Sequence, residues 1–498
     1  MQEVGRACSD GHADWQRGPL KRNGNATDDW QMFRGWLAIR AMTKRILLAA
    51  AAALTLPLPA LAQHDVAALR DAALKDDLAW EITEGLTTEI GQRLAATEAE
   101  ARARDWAVKK LTALGFQNVH VETYKMPVWV RGEEKAEVLG ASAQKLAIAA
   151  LGNSGSTGAK GVEAEVVYFP TLADLQAAPA GSLAGKIAFI SHAMTPTQDG
   201  SQYGYYGGVR RMGPALAASK GAAAVLIRSI GTDHHRNPHT GVTSWPEGTK
   251  PIAAAALSVP DAEQLERLLK RGPVRLKLLV TPQFKGEAES GNVIADVPGT
   301  DPDAGIIVIG GHLDSWDLGT GAIDDASGLG ITTAAAKRIM DAGRPRRTIR
   351  VVWFGAEEVG GFGGEAYARA HAGERHVLAM ESDFGADRVW KFETNLPDSA
   401  RPIADRVATA LAPLGISRGR GVAGGGTDIA PVLRTGVGGI DLDQSGLRYF
   451  DYHHTPDDTL DKVDPEQLRQ NVAAWTAMLA VAANAPEDIG PVPAPAGH

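Results

Sequence analysis

Cysteine is almost absent from the 498-residue chain; Cys8 is the only one. A lone thiol cannot close an intramolecular disulfide. Lying so near the N-terminus, it also gives no basis for a cysteine nucleophile or a thiolate zinc site in the body of the protein. Long hydrophobic runs are missing too. The apolar stretch Ile46–Leu56 is shorter than the ~20 residues a spanning helix needs, and Pro57 and Pro59 follow it. That excludes a polytopic membrane protein and a stable membrane anchor. An excess of positive charge is also lacking: the net charge is −8, so nucleic acid is not an expected partner. What remains is ordinary globular material, 44% hydrophobic and 22% charged, which excludes a mainly disordered or collagenous chain. At ~150 residues per domain, two or three domains are expected. Glycine is plentiful at 56 residues, which suits many tight turns.

The N-terminal region reads as a leader. Lys44 and Arg45 form a basic segment, Ile46–Leu56 an apolar one, and Ala60-Leu61-Ala62 a small-x-small cleavage site. Residues 42–62 are therefore expected to be a secretory signal peptide, cleaved after Ala62, sending the protein to the periplasm or outside. Residues 1–41 are polar and show no clear periodicity, consistent with a true start at Met42 or with a long basic segment before the leader. Removing 1–62 removes Cys8, so any metal must be held by His, Asp and Glu.

Three textures follow. Residues 64–126 read as a helix and then a strand. Thr97 and Glu100 have capping-box spacing, Ala103, Trp106, Ala107, Leu111 and Leu114 recur at helical spacing, and Gly115 is a stop signal. Gln117–Tyr124 alternates as a strand. Residues 127–285 carry short β runs (Val162–Tyr168, Lys186–Ile190, Ala223–Ile227) and a helix near Ala262–Leu269. This region reads as an inserted β-rich module with few catalytic clusters. Residues 286–486 alternate strand and helix: Ile306–Ile309, Gly328–Met340, Thr348–Phe354, Gly364–His371, Val377–Met380, Ile403–Leu414, Val437–Leu442 and Pro465–Ala483. That alternation predicts a three-layer α/β sandwich around a mostly parallel sheet, with ligands beyond the carboxyl ends of the strands. Residues 487–498 are Pro-rich and expected to be a flexible tail.

Acids and imidazoles recur after the strands of the third region. The first run leads into Gly310-Gly311-His312-Leu313-Asp314-Ser315, and Gly321-Ala322-Ile323-Asp324-Asp325 precedes a helix. The next strands lead into Ala356-Glu357-Glu358 and Glu381-Ser382-Asp383, and the last into His453-His454-Thr455-Pro456-Asp457-Asp458. Charged groups at successive strand ends converge on one rim, and crowded carboxylates there repel unless cations compensate. Two histidines with three or more carboxylates suit Zn²⁺, and a shared carboxylate suits a metal pair about 3.5–4 Å apart. The neighbours His453/His454 and Asp324/Asp325 leave open which of each pair is the ligand.

The ordered motifs GGHLDSW, GAxDDxxG, AEE, ESD and HTxxDT resemble those of the co-catalytic di-zinc aminopeptidase and carboxypeptidase family. Segments 127–134, 226–229, 238–241 and 424–429 resemble a narrower carboxypeptidase group within it. The resemblance implies two Zn²⁺ per chain. His312 and Asp383 would hold one ion, Glu358 and His454 the other, and Asp324 would bridge them. Glu357 would be the general base, and Asp314 would orient the His312 ring. Asp458 would either serve His454 in the same way or cap a loop. Gly425, Gly426, Thr427 and Asp428 would form a backbone wall for a substrate terminus. Arg388 and Arg448 are candidates for holding a substrate carboxylate. Asp233, His234, His235 and His239 invite a second metal site but lack regular ligand spacing; the resemblance places them in a lid near the site mouth. It further implies small peptide substrates, dipeptides above all, an inserted protease-associated module covering the cleft, and a homodimer.

Overall fold

A computed structural model describes residues 65–492. The leader, the N-terminal extension with Cys8, and residues 493–498 lie outside the described residues. The central sheet has five strands in the order Gln117–Val130, Gln283–Val297, Thr348–Phe354, Ile306–His312, His376–Glu381. The last three run parallel. The first two pair antiparallel with each other, and the second pairs antiparallel with Thr348–Phe354. The sheet is therefore mixed and not mostly parallel as expected. The reason is a long β-ribbon, formed where the chain leaves for the insertion and returns from it. Beyond His376–Glu381, the amide of Ala379 donates to the Gly438 carbonyl. That bond links the sheet to three further strands, in the order Ser417–Arg418, Val389–Asn395, Gly439–Gln444.

Alternation along the strands builds the layers. Ile307, Ile309, Val351 and Trp353 face one core with helices Ser327–Ala342 and Pro465–Asn484. Val308, Val352 and Phe354 face another core containing Tyr367, Ile429, Val432 and Leu433. The Trp353 indole N–H donates to the Thr333 hydroxyl at 3.0 Å, which satisfies its one polar atom inside the core.

Helices Val66–Ala73 and Leu78–Gly85 precede the expected helix, which runs Glu98–Ala113 with the Thr97 hydroxyl accepting the Glu100 amide. The expected capping box is only half made. The Glu100 carboxylate is buried and accepts from the Ser290 hydroxyl at 3.1 Å instead.

Residues 134–280 supply every strand of a separate eight-stranded sheet. Its two connections leave the ribbon side by side, Val130 opposite Gln283. The expected boundaries 127 and 285 thus fall within the ribbon strands. This segment is not purely β: helix Ser201–Ser219 packs Val209 and Ala217 into the main core and helix Val259–Leu269 covers the sheet.

The expected free tail is anchored as far as residue 492. Arg406 grips the Glu487 carboxylate at 2.7 and 2.8 Å, Ile489 is buried, and the Val492 amide donates to the Gly436 carbonyl. Among the described residues no helix is long and apolar enough to cross a membrane.

Candidate metal centre and active site

The segments beyond the carboxyl ends of the three parallel central strands meet the segment that follows strand Gly439–Gln444 in one pocket. His312 ends its strand, and its amide donates to Asp325 at 3.1 Å. Its ring Nε2 lies 3.1 Å from Asp324 Oδ1 and 3.4 Å from Asp383 Oδ1. The other ring nitrogen, Nδ1, faces the Asp314 backbone carbonyl at 2.9 Å, while the Asp314 carboxylate stands 3.7 Å away. The carboxylate accepts the amides of Glu357 and Glu358 at 3.0 and 3.3 Å instead. Asp314 thus orients the ring through its carbonyl and fixes the Glu357–Glu358 turn through its side chain. That turn contains Ala356 at φ +60°, a left-handed conformation costly for a residue with a Cβ.

Asp324 lies in the loop Ala322–Ala326, just before helix Ser327–Ala342. Asp458 secures this loop by accepting the amides of Ala322 and Ile323 at 2.7 and 2.8 Å. Capping, not service to His454, is therefore its role. The buried Arg93 ties the same loop to the His312 segment by donating to the carbonyls of Leu313, Thr320 and Gly321. Asp325 uses its two oxygens to accept the amides of His312 and Gly328.

His454 also stands at positive φ, +62°. Its Nε2 lies 2.9 Å from Glu358 Oε2 and 3.3 Å from Asp324 Oδ2. His453 stacks on it with ring centroids 3.5 Å apart and packs among Tyr203, Tyr449 and Phe450. His453 Nε2 is 3.6 Å from Asp324 Oδ2, farther than that of His454. The two oxygens of Asp324 therefore approach different imidazoles, one from each side of the pocket.

Burial dominates the electrostatics. It raises the carboxyls of Asp324 and Glu358 above the ordinary range and pushes Glu357 up to about 7. Burial also holds His454 well below its usual value. For His312 burial acts the same way, but Asp383, Asp314 and Asp324 outweigh it and the imidazole is raised. Asp324 Oδ2, Glu358 Oε1 and Asp383 Oδ1 are buried with no hydrogen-bond partner among the described residues. Buried anionic oxygens without donors are costly unless cations meet them. The nitrogen and oxygen donor set fits Zn²⁺, and the sequence-expected ligands are all present at this one place.

The comparisons agree with this geometry. The profile of Peptidase family M28 matches residues 292–479. Carboxypeptidase Q of Bos taurus is 35% identical over 406 residues, 81% of this chain and 84% of the bovine protein. The crystal structure of a peptidase M28 precursor from Shewanella amazonensis SB2B is 45% identical with a TM-score of 0.83, covering 86% of this chain and 98% of that one. The chain belongs to peptidase family M28. An aminopeptidase from Aneurinibacillus sp. strain AM-1 shares the fold, with TM-score 0.59 at 23% identity over 88% of this chain and all of that one. This M28 chain is a metal-dependent exopeptidase, a hydrolase.

Of the other expected residues, Thr427 lines the M28 pocket and the rest fall outside its lining. The pocket is a cavity of about 330 Å³ lined by Asp324, Glu357, Glu358, Asp383, His454 and Thr427, among others. Of the stretch 425–428 only Thr427 lines it. The amides of Gly424 and Gly425 donate to Asp441, and those of Asp428 and Ile429 to Glu381, so within 425–428 the amides of Gly425 and Asp428 are already engaged. Arg388 and Arg448 do not line it, and Arg448 pairs with Asp387. His234 and His235 are exposed, whereas His239 pairs with Asp233 at 2.7 Å in the interior. Residues the sequence did not single out do line the cavity: Tyr203, Arg210 and Arg211, all from helix Ser201–Ser219. A helical reading of that segment would have set Tyr203, Arg210 and Arg211 on one face, at i, i+7 and i+8.

Proposed function

We propose that this M28 peptidase is a secreted di-zinc carboxypeptidase acting on short peptides, dipeptides above all. The observation that carries the reading is Asp324, whose two carboxylate oxygens lie 3.1 and 3.3 Å from the imidazoles of His312 and His454. In this reading His312 and Asp383 would hold one zinc, Glu358 and His454 the other, and Asp324 would serve both. Zinc so held supplies Lewis acidity at a carbonyl oxygen and lowers the pKa of water toward neutrality.

The chain's own residues do the rest. Glu357 lines the cavity without an ion-pair partner among the described residues, so its carboxylate is free to take a proton and return it to a leaving amine. Asp314 holds the adjacent amides, so the two glutamates keep separate directions. Tyr203, Phe384, Tyr449 and Phe450 line the cavity and restrict water. At about 330 Å³ the cavity sits at the small end of ligand pockets, which favours a substrate of two or three residues. The 134–280 segment acts as a protease-associated-type cap that sets this limit. Residues 42–62 serve as the export signal.

Metal analysis combined with turnover tests the proposal. The mature chain is expected to carry about two zinc ions and to hydrolyse free dipeptides. It should tolerate N-acetylation. If N-acetylation alone abolishes cleavage and longer peptides are trimmed from the front, the enzyme is an aminopeptidase. A second outcome concerns Asp314: Asp314→Ala should lower kcat/KM or zinc affinity roughly 10–100-fold, as expected of a residue that orients the groups around a metal. Wild-type kinetics and zinc content in that variant would remove the Asp314 side chain from the machinery.

A further inference from the structure

The reaction proposed above leaves two arginines unused. Arg210 and Arg211 line the cavity with the catalytic acids, yet they come from the inserted segment, on helix Ser201–Ser219. Arg210 is only 4% exposed. A guanidinium buried that deeply ordinarily lies against a carboxylate, because its desolvation is otherwise uncompensated. Among the described residues, neither arginine forms an ion pair. The neighbours of Arg210 are neutral groups: the Thr240 carbonyl at 3.3 Å, His454 Nδ1 at 3.1 Å and the Tyr203 hydroxyl at 2.7 Å. Its Nε has no partner. Arg211 reaches only the Gly204 carbonyl, at 3.5 Å. The surroundings are fitted to the Arg210 side chain. The Tyr203 ring lies 5.4 Å from the guanidinium carbon, and a Cβ on Gly241 would stand 2.2 Å from Nη1.

Charge balance says what is missing. Among the residues that line the cavity, two zinc ions would balance the four carboxylates of Asp324, Glu357, Glu358 and Asp383, and the two guanidiniums would be left without a counter-charge. An uncompensated cation in a small cavity selects an anion, and arginine suits a carboxylate's two oxygens. In a peptide the anion nearest a C-terminal scissile bond is the α-carboxylate.

We propose that Arg210 and Arg211 form the subsite for the substrate's free α-carboxylate, so that the inserted segment, not the metal-bearing sheet, makes the enzyme a carboxypeptidase. The inference rests on the exopeptidase reading above.

The test compares a free dipeptide with its C-terminal amide, using the wild type, Arg211→Gln and Arg210→Gln. The amide cannot form the charge-assisted hydrogen bonds of the free acid, so wild-type kcat/KM should be roughly 10–100-fold lower on it. In Arg211→Gln the KM for the free acid should rise about 10-fold or more with kcat nearly kept. The amide should change little, so discrimination collapses. Arg210 also touches His454, so Arg210→Gln is read with zinc content and thermal unfolding alongside kinetics. A collapse of discrimination with metal and fold intact supports the subsite. Should Arg210→Gln fail to fold, Arg211→Gln decides alone. Inhibition by the free amino acid product but not by its amide, weakened in Arg211→Gln, gives a binding readout independent of turnover. Equal losses on acid and amide in Arg211→Gln would overturn the assignment. A wild type that cleaves acid and amide equally would also overturn it, yet leave the exopeptidase reading standing. A wild type that cleaves neither would overturn both.

Discussion

Glu357→Gln should lower kcat by roughly 10²–10⁴-fold, the usual contribution of a positioned acid–base group, while the protein keeps its zinc. The two halves of that expectation rest on separate observations. Glu357 lines the cavity, but its side chain forms no ion pair with His312 or His454. Its amide is held by Asp314, a bond that survives the substitution. Gln fills the same volume, so the turn keeps its shape and KM should move little. What Gln lacks is the capacity to accept and return a proton. Glu358→Gln provides the contrast, because Glu358 Oε2 stands 2.9 Å from His454 and belongs to the proposed ligand set. That variant should lose metal first and activity as a consequence. Single-turnover assays with zinc quantified in the same sample separate the two behaviours. Turnover of Glu357→Gln within a few-fold of wild type would show that the proton passes elsewhere.

How far the sequence revealed this arrangement differs from one part of the chain to another. The strand Thr348–Phe354 appears at its expected bounds, because a β-branched and aromatic run broken only by Arg350, between Arg347 and Gly355, has few alternatives. Ile306–Ile309 was visible but short. The strand continues through Gly310 and Gly311 to His312, where ladder bonds persist without side chains to advertise them. The proposed ligand set was legible in part because His312, Glu358 and Asp383 end or closely follow such runs. Asp324 lies just before a helix and His454 well past its strand, so these two stood out only within their motifs. The choice of His454 over His453 was legible only by resemblance. In the structure His454 turns toward Glu358 while His453 is enclosed by aromatic rings, which supports that choice. Three features were hidden. Helix Ser201–Ser219 contains Gly204, Gly207, Gly208, Gly213 and Pro214, residues of poor helical propensity, and tertiary packing overrides that bias. With the helix unseen, Arg210 and Arg211 had no face to share. The outer half of strand Gln283–Val297 is polar and exposed, so nothing marked it as the antiparallel partner that makes the sheet mixed. Finally, residue type says nothing about which oxygen of Asp314 meets the His312 ring; that depends on how the chain turns after the strand.

Asp324→Ala should have the widest consequence of any single change, because Asp324 connects the two halves of the pocket. His312 approaches it with Asp383, and His454 with Glu358, on opposite oxygens of one carboxylate. Removing that carboxylate takes a negative charge and a donor from both proposed ions at once. Zinc content should fall well below two per chain, and kcat/KM by about 10³-fold or more, the scale of several kcal/mol of lost Lewis-acid stabilisation. The loop itself should survive. Asp458 holds it through the amides of Ala322 and Ile323, Arg93 through the carbonyls of Thr320 and Gly321, and none of these bonds uses the Asp324 side chain. Thermal unfolding measured on zinc-free wild type and zinc-free variant should therefore differ little, or favour the variant, since it buries one carboxylate fewer. With zinc added, the wild type should gain stability through binding, and the variant far less. A variant that retained two zinc ions would mean that Asp324 bridges nothing. One that retained a single zinc ion and substantial turnover would assign Asp324 to one ion alone, and the paired-metal mechanism would have to give way to a single-site one.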